Sequence, residues 1–161
     1  MRMNKPVIAW EALRGQPGHE AGRQLLAKTY REMFGKDCPE IAIADGGKPY
    51  FVDGSAHFSI SHTKGHVFCA LFDRPVGLDA EEMDRKIDLR LAGKILSEPE
   101  KLRFEAAEDQ RAALLRLWVL KESSVKLTGL GLRGYPNHTD FDPDDSRIME
   151  IDGCYVAVLT E

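Results

Sequence analysis

The sequence predicts an α+β fold, a mostly antiparallel sheet packed with helices, on three observations. Two long segments, 19–34 and 111–127, repeat apolar residues at helical spacing. Between them lie short apolar runs, bounded by turn residues, that have the length of strands. Two of those runs, 67–72 and 76–81, follow one another across a tight turn, which reads as an antiparallel hairpin.

The first helix carries Leu25, Leu26, Tyr30 and Phe34 and stops at Gly35. Ile41 and Ile43 suggest a short strand before an Asp45-Gly46-Gly47 bend. Phe58-Ser59-Ile60-Ser61 alternates as a half-buried strand does, and His62 to Gly65 is a turn. Asp73-Arg74-Pro75 closes the continuous apolar run before it. Residues 87–96 look helical. Ser97 is placed as an N-cap, with Pro99 in the first turn and Glu100 completing a capping box. The helix over 111–127 ends near Gly129, and Gly131 and Gly134 hold the following segment open. Residues 155–159 form a closing strand. No repeat, low-complexity stretch or boundary divides the chain, so residues 1–161 are expected to form one domain.

Composition narrows the function classes. Hydrophobic residues make up 43% and charged residues 30% of 161, a normal globular balance. A net charge of −4 argues against wholesale nucleic-acid binding, although a local basic pocket for a phosphorylated ligand is compatible with it. Cys38, Cys69 and Cys154 are scattered, and their spacing makes neither a disulfide framework nor a zinc cluster. No apolar run has the length of a signal peptide core or a membrane span. The expectation is a soluble cytoplasmic protein with no nucleic-acid or membrane partner.

Four segments carry chemistry. In Gly77-Leu78-Asp79-Ala80-Glu81, a strand conformation turns Asp79 and Glu81 to one face, with Gly77 leaving space there. Two carboxylates on one strand face repel unless water screens them or a cation lies between them. Mg²⁺ takes one or two carboxylates and completes its shell with water and phosphates. A solvated edge strand is the other reading. In the run from Trp118 to Lys126, about 100° per residue puts Leu114, Leu115, Trp118 and Val125 on one stripe, with Glu122 inside it and Lys121 and Lys126 flanking. A carboxylate on a buried face must be paired or metal-bound. An ordinary Glu122–Lys126 ion pair at i,i+4 also accounts for the two charges. Ser61 and His62 offer a hydroxyl and an imidazole where a strand meets a turn, a setting that suits a phosphate and equally a structural histidine. Gly46-Gly47-Lys48-Pro49 lets backbone approach a ligand and supplies one point charge, or is simply a turn with a surface lysine. Two further patterns are rejected. The acids Asp140, Asp142, Asp144 and Asp145 lack the glycine and glutamate of a calcium loop, and Gly65 breaks any helical pairing of His62 with His66.

The order of these segments resembles the 4′-phosphopantetheinyl transferase superfamily, Sfp type. The pieces are Gly47-Lys48-Pro49, Phe58 to His62, G-x-D-x-E at Gly77 to Glu81, W-x-x-K-E-x-x-x-K at Trp118 to Lys126, and Gly129-Leu130-Gly131-Leu132. The resemblance spans about residues 20 to 160 and implies that superfamily's fold, with two pseudo-symmetric halves. The first half is expected to be reduced, because the region before His19 is short; Arg23 and Lys28 are candidates for the basic residues the family draws from it. By the same resemblance, Asp79, Glu81 and Glu122 bind Mg²⁺, with Mn²⁺ as a substitute, together with the pyrophosphate of coenzyme A. Lys121 and Lys126 contact phosphates, Ser61 and His62 hold the nucleotide end, with His62 near the 3′-phosphate, and Lys48 lines the same pocket.

The implied reaction moves 4′-phosphopantetheine from coenzyme A to a serine of an apo-acyl, peptidyl or aryl carrier protein and releases adenosine 3′,5′-bisphosphate. Lys126 is expected at the leaving phosphate, and either Glu122 or a metal-bound water is expected as the serine's base. A catalytically inactive module that binds coenzyme A or a carrier protein is the alternative, as is another Mg²⁺-dependent phosphotransfer or hydrolytic enzyme.

Overall fold

The computed structural model describes residues 1–130 and 139–161, so the expectations for Gly131, Leu132 and Gly134 lie outside the described residues. Its strands are β1 (Val7–Ala12), β2 (Ile41–Ile43), β3 (Pro49–Phe51), β4 (His57–His62), β5 (His66–Phe72), β6 (Val76–Glu82), β7 (Ile148–Ile151) and β8 (Cys154–Thr160). Its helices are α1 (Gly18–Phe34), α2 (Ala92–Ile95), α3 (Glu98–Ala106) and α4 (Gln110–Thr128), with a single 3₁₀ turn at Leu89–Leu91 ahead of α2. The strands form two three-stranded sheets, β1-β5-β4 and β6-β8-β7, and a β2-β3 ribbon. All the recorded pairings are antiparallel. This is the α+β architecture the sequence predicts.

The expected hairpin between residues 67–72 and 76–81 does not form. β5 pairs with β1 and β4, whereas β6 pairs with β8. The Asp73-Arg74-Pro75 turn therefore carries the chain from one sheet to the other. The reason lies in the composition of β5, whose residues from Val67 to Phe72 are all essentially buried. An apolar run without alternation needs cover on both faces. Val67 and Cys69 pack against Ala21 and Leu25 of α1, while Phe68, Ala70 and Phe72 pack against Leu78, Ala80 and Val156 of the second sheet. A β5–β6 hairpin would place β6 beside β5 rather than over its face.

The two sheets are also joined through β4. Ser59 Oγ accepts the Leu78 N–H at 2.9 Å, and Ser61 Oγ accepts the Ala80 N–H at 3.2 Å. Side-chain hydroxyls thus satisfy backbone donors of β6 where no ladder runs between the strands.

The helices begin and end much as the sequence signals indicate. Gly35 stops α1, and Ser97 with Glu100 caps α3 in a reciprocal box. Within 87–96 the helical part is the 3₁₀ turn and the short α2, entered at Asp88, whose side chain accepts the Arg90 N–H. α4 is buried on two sides. Leu114 and Leu117 pack with Leu96 and Phe104, while Leu115, Val119 and Leu120 pack with Tyr155, Ala157 and Leu159 of β8. Its end meets the β2-β3 turn so closely that a β-carbon on Gly46 would lie 1.8 Å from the Gly129 carbonyl oxygen. No helix among the described residues is long and apolar enough to cross a membrane.

Candidate active site

β6 and α4 build the centre of the site. Strand alternation sends Asp79 and Glu81 into one cleft, and Glu122 and Lys126, one turn apart on α4, enter it from the helix side. The cleft holds about 500 Å³, and its far wall is made by His19 and Arg23 of α1 with His62 at the end of β4.

Asp79 is the pivot. Its Oδ1 accepts Lys126 Nζ at 2.9 Å and Ser61 Oγ at 3.1 Å. Its Oδ2 is buried and has no hydrogen-bond partner among the described residues. A buried carboxylate oxygen left unpaired costs free energy, and a cation in the cleft would remove that cost. Burial pushes the Asp79 carboxyl up, against the pull of Lys126 and Ser61. Glu81 is pushed up by burial, opposed by Arg85, and raised further by Asp79. Glu122 is pushed up by burial and by Asp79, with Lys126 acting the other way. Asp79 thus raises both Glu81 and Glu122, and the three carboxyls in one cleft form an oxygen-rich donor set that fits a hard divalent cation such as Mg²⁺.

Lys126 Nζ also reaches the Ile60 carbonyl at 3.3 Å, so its ammonium sits between β4 and β6 at the cleft floor. The same lysine lines a second hollow of about 260 Å³, continued by Lys48, Pro49, Phe58 and Val125. Lys48 borders this hollow, but its ammonium is committed. Nζ donates to the Leu127 carbonyl at 2.9 Å and to the Val76 carbonyl at 3.1 Å, closing the end of α4 against β6. Burial lowers its pKa, with Glu161 opposing.

Lys121 is not brought to the cleft. Its side chain is fully buried, and Nζ donates to Glu100 Oε1 at 2.7 Å and to Thr139 Oγ1 at 2.7 Å. The helical wheel set it beside the stripe, but the neighbouring elements claimed that flank: α3 supplies Glu100, so this lysine ties α4 to α3. Ser61 lines the cleft, and its hydroxyl, which donates to Asp79 Oδ1 and accepts the Ala80 N–H, also positions Asp79. Of the two basic residues expected from α1, Arg23 lines the cleft and Lys28 does not, pairing at the surface with Glu11 at 3.1 Å. His19 lines the cleft and was missed in the sequence, although its i,i+4 spacing from Arg23 is the signal that would have found it.

Residues 75–153 match the family model described as the 4′-phosphopantetheinyl transferase superfamily, and that segment contains Asp79, Glu81, Glu122 and Lys126. The chain belongs to the 4′-phosphopantetheinyl transferase superfamily. Among its relatives, the 4′-phosphopantetheinyl transferase psf-1 of Bacillus pumilus is 36% identical over 116 residues, covering 69% of this chain and 49% of its own length. The 4′-phosphopantetheinyl transferase Sfp of Bacillus subtilis is 32% identical over 113 residues, covering 68% of this chain and 49% of its own length. The 4′-phosphopantetheinyl transferase gsp of Aneurinibacillus migulanus is 40% identical over 88 residues, covering 53% of this chain and 36% of its own length. The chain thus spans about half the length, or less, of these curated relatives. Within the superfamily segment, Asp79 and Glu81 of β6 and Glu122 of α4 meet in one cleft.

Proposed function

We propose that this chain is a 4′-phosphopantetheinyl transferase that moves the phosphopantetheine arm of coenzyme A onto the serine of an apo-acyl, peptidyl or aryl carrier protein. The observation that carries the reading is the convergence of Asp79, Glu81, Glu122 and Lys126, all inside the superfamily segment, on one cleft where a buried oxygen of Asp79 has no partner among the described residues. In this reading residues 1–161 act as a single domain. The two-half organisation of the superfamily is supported by the way each three-stranded sheet carries one long helix, α1 on β4 and β5 and α4 on β6 and β8.

Asp79, Glu81 and Glu122 would hold Mg²⁺, or Mn²⁺ in its place. Bound there, the cation neutralises charge on the pyrophosphate and lowers the cost of bond breaking. The serine oxygen forms a bond to the β-phosphorus of coenzyme A, and the bond from that phosphorus to the bridging oxygen breaks. The electron pair leaves with adenosine 3′,5′-bisphosphate. Glu122, on the α4 side of the cleft, would take the serine proton. Lys126 faces the leaving phosphate and stabilises charge as it grows. His62, with Arg23 and His19 beside it, receives the nucleotide end and its 3′-phosphate. Lys48 shapes the adjoining hollow by fixing the end of α4.

Chromatography of reaction mixtures tests this reading. Adenosine 3′,5′-bisphosphate should form only when coenzyme A, Mg²⁺ and a carrier with its serine intact are all present. Formation without the serine would indicate a hydrolase. Coenzyme A binding without bisphosphate formation would make the chain a binding module.

A further inference from the structure

On the opposite face of β6 from the acidic cleft, Glu82 meets His66 of β5 and Cys154 of β8. His66 Nδ1 lies 2.9 Å from Glu82 Oε1 and 3.4 Å from Cys154 Sγ, and Cys154 Sγ lies 3.4 Å from Glu82 Oε2. Zinc bonded tetrahedrally to a thiolate, an imidazole nitrogen and a carboxylate oxygen requires ligand separations of roughly 3.4–3.6 Å, given its usual bond lengths. One ligand atom from each of the three residues lies within 4.8 Å of the other two, so side-chain adjustment alone would bring them to those separations.

The surroundings fit a cation as well. His66 Nε2 is 2.8 Å from Asp152 Oδ2, the outer carboxylate that commonly orients a metal-binding histidine. With the proton on Nε2, the Nδ1 lone pair points at the carboxylate and the sulfur, where only a proton or a metal ion can relieve the repulsion. Glu82 is oriented in turn: Oε1 accepts Thr63 Oγ1 at 2.5 Å and the Gly65 N–H at 3.1 Å, leaving Oε2 towards the sulfur. Trp10 and Phe68 flank the imidazole and restrict water. An open hollow bordered by Thr63, Lys64 and Glu82 gives access for entry and for a fourth, solvent ligand.

We propose that His66, Glu82 and Cys154 form a binding site for a thiophilic divalent cation of the zinc class, separate from the acidic cleft, with Asp152 as its positioning residue. Cys154 binds as thiolate and releases its proton to solvent. Carboxylate plus water alone would suit magnesium; sulfur and imidazole select zinc or cobalt over it. The ion would tie the β4–β5 turn, the end of β6 and the β7–β8 turn together. Because Glu81 and Glu82 are adjacent on β6, it would also fix the strand that carries the acidic cleft.

The test needs neither coenzyme A nor turnover, so its outcome is independent of the transfer reaction. The full chain, stripped with a chelator, is titrated with Co²⁺ and followed by absorption. The proposal expects a single equivalent with a thiolate-to-cobalt charge-transfer band, displaced by Zn²⁺ and absent in Cys154→Ser. Asp152 has φ of 46°, a left-handed conformation asparagine tolerates, so Asp152→Asn should fold. It should bind with affinity lower by roughly 10–100-fold. No thiolate band in the wild type, or a band that survives Cys154→Ser, would overturn the site. Unchanged affinity in Asp152→Asn would remove Asp152 from it.

Discussion

A β-carbon on Gly77 would lie 2.1 Å from the carbonyl oxygen of Ser123, with Leu127 N also only 2.5 Å away. The first residue of the G-x-D-x-E segment is therefore glycine because the α4 backbone rests on it. That contact brings Glu122 and Lys126 within reach of Asp79. Gly77→Ala must push helix and strand apart, an overpacking that typically costs about 1–3 kcal/mol. We expect a lower melting temperature and, in the folded fraction, activity lost together with the Mg²⁺ response. Calorimetry with a turnover assay checks both; a wild-type Tm and rate would remove this contact from the account.

Asp79→Ala, Glu81→Ala and Glu122→Ala should each abolish most turnover while the chain stays folded. If the three share one cation, double variants will be far from additive. Excess chelator should stop the wild type, and Mg²⁺ or Mn²⁺ should restore it. Additive losses, or full rates in chelator, would contradict a shared ion.

Glu122 also predicts a trade between stability and function. Its folded-state pKa is raised by burial and by Asp79, so the charged form costs stability at neutral pH, and stability returns as pH falls through the folded value. In chelator at neutral pH, Glu122→Gln should melt above the wild type, and Mg²⁺ should raise the wild-type Tm more than the variant's. Equal responses of the two proteins to Mg²⁺ would count against the cation site.

The buried Lys121–Glu100 pair gives a different pH signature. Burial pushes the Glu100 carboxyl up, but Lys121, the N–H groups of Ser97 and Phe141, and Thr139 together hold it below the usual range. A depressed carboxylate contributes stability above its unfolded pKa and loses that contribution as pH falls through the folded value. Acid unfolding of Glu100→Gln should accordingly be shallower than that of the wild type. Lys121→Met strands a buried carboxylate and should cost about 3–5 kcal/mol without altering affinity for coenzyme A in the folded fraction. A selective rise in KM for coenzyme A would instead return Lys121 to the phosphates.

How far the sequence was legible follows from the range of each interaction. Alternation alone put Asp79 and Glu81 on one face, and helical spacing alone set Lys126 one turn beyond Glu122. Ser97 and Glu100 announced their capping box because both partners lie within one turn. Lys121 was misplaced because its partners, Glu100 and Thr139, are distant in the chain. The same limit produced the false β5–β6 hairpin: adjacency suggested it, whereas burial of both faces of β5 decided against it. β3 and β7 are short, and β1, six residues long, has no clean alternation of apolar and polar residues, so all three take their stability from pairing rather than from pattern. Ser61 read as a ligand group, and only the approach of β6 shows that it and Ser59 also join two sheets.

Lys126 and His62 should separate kinetically. Charge on the leaving phosphate grows as the bond breaks, so Lys126→Ala should lower kcat by roughly 10²-fold or more. A 3′-phosphate contact changes little along the reaction. His62→Ala should therefore raise KM for coenzyme A more than it lowers kcat, and should matter much less with dephospho-coenzyme A as donor. Equal damage with both donors would move His62 away from the 3′-phosphate.

Intact-mass spectrometry of apo-carrier proteins tests the central claim most directly. Acyl, peptidyl and aryl carriers are incubated with coenzyme A, Mg²⁺ and either the wild type or Glu81→Gln. The account predicts that at least one carrier gains the mass of a single phosphopantetheine with the wild type and none with Glu81→Gln. No gain on any carrier, or the same gain with Glu81→Gln, would contradict it.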